Sequence, residues 1–169
     1  MRLALLALGL VLLIGGATAA ELAGPGWRID PGDRLRPAGV VNGWTLLRDT
    51  HAPAEAEDYG LLLLRVQRPV PPAARAGHLG ATLRHLRPFR FGALPKAERI
   101  RHGGLPAAVL ETSGFSAGTG AALMVRAMAV YAPERSFLLI AAAPSAEWPA
   151  LREALVRALA SSHPTGGRR

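Results

Sequence analysis

Hydrophobic and polar positions alternate along this chain in short blocks separated by turn-forming residues. Tyr59 to Gln67, YGLLLLRVQ, is a continuous apolar run with polar ends. A run this short, with turn signals on both sides, fits a buried strand better than a helix. Upstream, Gly43 to Arg48 reads as a strand, and the Pro25 to Asp33 stretch as a short strand or extended arm bracketed by turn residues. The loop DTHAPAEAED, Asp49 to Asp58, separates the second and third of these strands.

From Ala73 to Arg87 the period changes. Leu79, Leu83 and Leu86 stand at i, i+4 and i+7, which places them on one helical face. Pro71 or Pro72 suits the first turn of that helix, and Pro88 stops it. Gly77 and Gly80 weaken it by up to about 1 kcal/mol each relative to alanine, so packing has to hold it.

The second half reads as an antiparallel meander. Ala97 to His102 and Pro106 to Ser113 are joined by Gly103-Gly104, a strong hairpin dipeptide. Leu123 to Tyr131 turns through Ala132-Pro133-Glu134 into Ser136 to Ala142, with proline placed where a type I turn favours it. Ser145 is the expected N-cap of a closing helix carrying Trp148, Leu151, Leu155 and Leu159 as a stripe. The pattern predicts an α+β domain: a mostly antiparallel sheet of about six to seven strands with two helices, one central and one C-terminal, packed on it.

The ends and the composition narrow the picture. Arg2, an apolar run from Leu3 to Ile14 and the small residues Ala17-Thr18-Ala19 have the order of a secretory signal, so residues 1–19 are expected to be a signal peptide. Cleavage after Ala20 and retention as an anchor are the alternatives, although the run is shorter than the about 20 residues that a membrane span needs. Residues 20–163 are then one domain, and 164–169 a disordered basic tail. The expected location is periplasmic or secreted.

The chain has no cysteine, which excludes disulfides and thiol chemistry. Its net charge is +8, and Lys96 is its only lysine. An arginine-rich background favours anionic partners without selecting among them.

One motif invites a catalytic reading. Gly114-Phe115-Ser116-Ala117-Gly118 fits the G-x-S-x-G pattern of a nucleophile elbow, which needs a strand before the serine and a helix directly after it. Here the alternating segment Leu123 to Tyr131 follows, and the only later histidine is His163 near the terminus. Ser116 is therefore read as a turn residue, with a small serine hydrolase as the alternative activity.

His51, Glu55, Glu57 and Asp58 are candidate metal ligands, but no spacing enforces their convergence, and a solvated acidic loop explains them. His78 and His85 lie seven apart, two turns along one helix, and read as surface or boundary residues. No cofactor is expected.

The strongest binding candidate is the segment from Arg84 to His102. It holds Arg84, Arg87, Arg90, Lys96, Arg99, Arg101 and His102, with Phe89 and Phe91 between them and Glu98 as its one acid. Such a segment can dock an anionic surface. Its bland reading is an arginine-rich loop whose phenylalanines anchor it to the core.

The hairpin GGLPA, Gly103 to Ala107, entering a long meander, and a closing helix from near Trp148 to Ser161-Ser162, resemble the PsbP-like superfamily. That is the fold of the extrinsic photosystem protein and of DcrB-like periplasmic proteins. The resemblance spans roughly Gly26 to Ser162 and implies a scaffold for binding other proteins, with no common active site and no functional residue to transfer.

The function expected from all this is an exported, non-enzymatic accessory or adaptor protein. Its partner would be a protein or an anionic envelope component, not nucleic acid, and membrane contact would be confined to export. A binder of a small apolar ligand between helix and sheet is a further alternative, suggested by the many Ala and Gly residues.

Overall fold

The computed structural model describes residues 21–24, 26–53 and 59–165. The signal-like segment, Glu55, Glu57, Asp58 and the last four residues lie outside the described residues. In chain order the elements are β1 (Leu22–Gly24), β2 (Trp27–Ile29), β3 (Leu35–Val41), β4 (Trp44–Asp49), β5 (Leu61–Gln67) and α1 (Arg75–Arg84). They continue with β6 (Phe89–Arg90), β7 (Glu98–His102), β8 (Leu105–Ser116), β9 (Ala122–Tyr131), β10 (Ser136–Pro144), α2 (Trp148–Ser161) and β11 (His163–Pro164).

An eight-stranded antiparallel sheet runs in the order β3-β4-β5-β10-β9-β8, with β6 and β7 both paired along the outer edge of β8. A three-stranded sheet, β1-β2-β11, lies apart from it. The α+β class is as expected, but the strand count exceeds six to seven. The missed strand β3 carries Pro37 and Gly39, which break its pattern. It is an edge strand with a register shift between those two residues, the setting in which a strand tolerates them. The others, β1, β6 and β11, have two or three residues each, too few to show a period.

Alternation along the strands serves two cores. In β10, Phe137, Leu139, Ala141 and Ala143 join one cluster, while Leu138, Ile140 and Ala142 join another. The first packs against Trp148, Leu151, Leu155 and Leu159 of α2, the stripe predicted from sequence. The second packs against Leu79, Leu83 and Leu86 of the α1 region. The central sheet is thus sandwiched between two helices.

Two helix boundaries differ from expectation. A 3₁₀ turn at Pro72–Ala74 precedes α1, which ends at Arg84. Ser145 does not cap α2: the helix starts at Trp148, and the Ser145 N–H donates to the Ala122 carbonyl. Pro164 and Thr165, expected in a disordered tail, are held in place: β11 pairs with β2, and the Thr165 N–H donates to the Gly26 carbonyl at 2.9 Å.

Candidate functional site

The ten residues of α1 pack on β8 and β9, which leaves the neighbouring face of β4 and β5 uncovered. A half-open groove of about 590 Å³ results. Its floor is Trp44, Leu46, Leu63 and Leu138, with Arg65 and Gln67 at one end. One wall is the end of α1 and the turn after it, Thr82, His85, Leu86, Arg87 and Pro88; the opposite rim is Val41-Asn42.

Local chemistry builds each side. Asn42 and Gly43 have φ of 50° and 77°. Two such left-handed residues are what a two-residue hairpin needs, so β3 reverses tightly into β4. The hairpin lifts Val40 and Val41 into solvent, 71% and 58% exposed. The pairing of Thr45 with Leu64 brings Trp44 beside Arg65, whose guanidinium carbon stands 5.7 Å from the indole centroid, within cation–π range.

Three neutral polar groups of the groove, Gln67, Thr82 and His85, each have a partner within the protein. The Gln67 side-chain amide donates to His78 Nε2 at 2.6 Å, His78 Nδ1 meets the Tyr131 hydroxyl at 3.4 Å, and that hydroxyl donates to the Arg75 carbonyl at 3.3 Å. Thr82 Oγ1 donates to the His78 carbonyl at 2.9 Å and His85 Nδ1 to the Ala81 carbonyl at 2.7 Å. Burial lowers the pKa of His78 below the ordinary 6.5, because a desolvated imidazole resists taking up charge. Burial also raises the pKa of Tyr131, against the opposing charge of Arg75.

Arg65 and Arg87 differ from these groups. Neither makes an ion pair or hydrogen bond with a described residue, and no acidic side chain lines the groove among the described residues. The reason is visible in the sequence, which carries no Asp or Glu between Asp58 and Glu98. An apolar trough is thus lined by two cations that have no acidic partner among the described residues.

The basic segment singled out from sequence is spread along the sheet edge. Arg90 lies opposite Phe115 and Arg101 opposite Pro106. Nine residues of β8, roughly 30 Å of extended chain, separate them. Arg84 and Arg87 stay at the α1 end, and Lys96 is exposed before β7. Arg99 and Arg101 are exposed on β7, the latter donating to the Gly104 carbonyl at 2.6 Å. His102 points the other way, to the Ser162 carbonyl at the end of α2.

Ser116 closes β8 and is 4% exposed. Its hydroxyl accepts the Thr119 N–H at 3.2 Å, its own N–H donates to Ala121, and the chain continues into β9 rather than a helix. The first glycine of the motif has a packing reason: a Cβ on Gly114 would sit 2.8 Å from the Arg90 carbonyl and from the Phe91 ring. No described histidine is hydrogen-bonded to Ser116.

His51 turns toward Asp49, whose buried carboxylate accepts the His51 N–H at 2.8 Å and Arg34 Nη2 at 2.6 Å. Among the described residues no group of three potential ligands converges on a metal position.

Sequence reasoning passed over Trp44, Leu46, Leu63 and Arg65. A usable signal was present: Arg65 interrupts an otherwise apolar strand, and Asn42-Gly43 marks a hairpin that brings an aromatic residue alongside it.

No family model matches the chain, and no curated protein matches it in sequence. Solved structures do match. LpqN of Mycobacterium tuberculosis, involved in cell envelope biogenesis, is similar at 19% identity and TM-score 0.63, over 87% of this chain and 90% of that one. Cyanobacterial PsbP (CyanoP) from Synechocystis is similar at 13% identity and TM-score 0.63, over 93% and 98%. A Bacteroides thetaiotaomicron protein matches at 10% identity and TM-score 0.57, over 89% of this chain, which spans half of that protein's length. The chain has a PsbP-like fold.

Proposed function

We propose that this is an exported, non-enzymatic accessory protein that binds an anionic envelope component through the α1 side of its sheet. One observation carries the reading: an apolar groove whose charged residues, Arg65 and Arg87, have no acidic partner among the described residues. Unpaired guanidinium groups beside a desolvating wall are better placed to hold an external anion than surface arginines already in ion pairs. Export rests on the N-terminal pattern of Arg2, an apolar run and Ala17-Thr18-Ala19, the order of a secretory signal. The likeness to LpqN, an envelope-biogenesis protein, supports the setting. A non-enzymatic role accords with the turn geometry around Ser116.

The test is crosslinking and affinity recovery of the tagged mature protein from its native envelope. The double variant Arg65→Glu/Arg87→Glu is compared with Arg99→Glu/Arg101→Glu on the distant strand β7. The expected outcome is a bound component reduced at least about tenfold by the first pair and retained by the second. Equal loss from both pairs would assign the effect to net charge, and unchanged recovery from the first would refute the groove as the contact.

A further inference from the structure

We infer that the occupant of the groove is an amphiphile with an anionic head, its chain lying over Leu46, Leu63 and Leu138 and its head at Arg65. The inference rests on the binding role proposed above and names the ligand. The groove measures about 590 Å³, within the roughly 300–1,000 Å³ of small-ligand sites.

The floor selects a hydrocarbon over an extended peptide. Leu46, Leu63 and Leu138 belong to strands hydrogen-bonded on both sides at those positions. An extended peptide laid across them would bury N–H and C=O groups with nothing to pair them, whereas an alkyl chain carries none. Gln67, Thr82 and His85 each already have one partner within the protein.

The Arg65 guanidinium supplies what is left, a charge-assisted site for a carboxylate or phosphate. Those two heads share one chemistry: a free fatty acid brings the first, a lysophospholipid or alkyl phosphate the second. The exposed Val40-Val41 hairpin beside the rim extends the apolar surface outward from the open side.

The experiment is titration of the mature chain, below micellar concentrations, with dodecanoate, dodecyl phosphate, dodecanol and glycerol phosphate. Binding is read by calorimetry and by the emission of Trp44, with Trp44→Phe as the optical control. Both anionic amphiphiles are expected to bind at least about tenfold more tightly than dodecanol or glycerol phosphate. The tighter of the two identifies the head.

Arg65→Gln/Arg87→Gln is expected to bring dodecanoate and dodecyl phosphate down to the affinity of dodecanol. Thr82→Trp, which fills the groove from the helix side, is expected to abolish binding of all chain-bearing probes, with circular dichroism showing the fold retained. Glycerol phosphate binding as well as dodecyl phosphate would overturn the amphiphile and leave an anion site. No binding by any probe, together with envelope recovery still sensitive to Arg65 and Arg87, would overturn this inference while leaving the proposed function standing.

Discussion

The two faces of the central sheet come from the same strands and are finished in opposite ways. On one, the fourteen residues of α2 place Trp148, Leu151, Leu155 and Leu159 against the sheet, and β1-β2-β11 extends the cover through Trp27 and Ile29. That side also holds the paired charges: Arg34 with Asp49, and Glu111 with Arg126 and Arg152. On the other, α1 is four residues shorter, contains two glycines and leaves Trp44, Leu46 and Leu63 beside open space. Its cations Arg65 and Arg87 have no acidic partner among the described residues. On the proposed reading, stability is concentrated where the face is closed and charge is balanced, and binding where it is neither: a filled, neutral face leaves no room for a ligand, and an open, charged one contributes little to folding.

Truncation on the two faces puts that separation to its hardest test. Leu155 is 1% exposed and sits in the α2 stripe, so Leu155→Ala loses transfer energy and leaves a cavity. The expected cost is about 2–5 kcal/mol. Leu46, half-buried on the groove floor, loses contact mainly with open space, and Leu46→Ala is expected to cost less than about 1 kcal/mol. Chemical denaturation of both variants checks this. Similar losses would mean that the groove floor belongs to the stabilising core, and the comparison would collapse.

A smaller effect of opposite sign is expected from α1 itself. A Cβ at Gly77 or Gly80 meets no atom within 4 Å, and neither residue has a positive φ. Gly77→Ala and Gly80→Ala should each raise stability by about 0.5–1 kcal/mol by lowering the conformational entropy of the unfolded chain. A higher unfolding midpoint with groove binding intact would show that the α1 side carries unused stability. A gain in midpoint together with slower ligand uptake would sharpen the comparison further, by tying the weak helix to ligand entry.

Much of this division was legible in the sequence. The helical periods of Leu79-Leu83-Leu86 and of Trp148-Leu151-Leu155-Leu159 fix which residues each helix buries, and Gly103-Gly104 sets the β7–β8 hairpin. The groove was not legible, because it arises from what α1 fails to cover. Apolar periodicity reports which face of a helix is buried, not how far along the sheet the helix lies. The spread of the basic segment was hidden for a related reason. Residues adjacent in sequence from Arg84 to Arg101 are stretched along the β8 edge, while Arg65 and Arg87, far apart in sequence, line one groove. Charge density along a chain predicts charge density in space only where the chain does not run extended.

The smallest expected effect concerns the seam between α1 and the sheet. His78 accepts the Gln67 amide at Nε2, which leaves the ring proton at Nδ1, directed at Tyr131. Protonation would place an N–H against the Gln67 donor and bring positive charge near Arg75, whose guanidinium stands 5.1 Å from the Tyr131 ring. Burial keeps the folded pKa of His78 below the unfolded value of 6.5. The unfolded chain therefore binds the proton first as pH falls. The contribution of His78 is fully present above pH 6.5 and is lost as pH drops from there toward its lower folded pKa, since stability rises with pH wherever the unfolded state holds more protons. His78→Gln should flatten that part of the stability curve and leave the region above about pH 7 parallel to wild type, as read by urea midpoints across the range. The same slope persisting in His78→Gln would place the pH sensitivity elsewhere than the seam under α1.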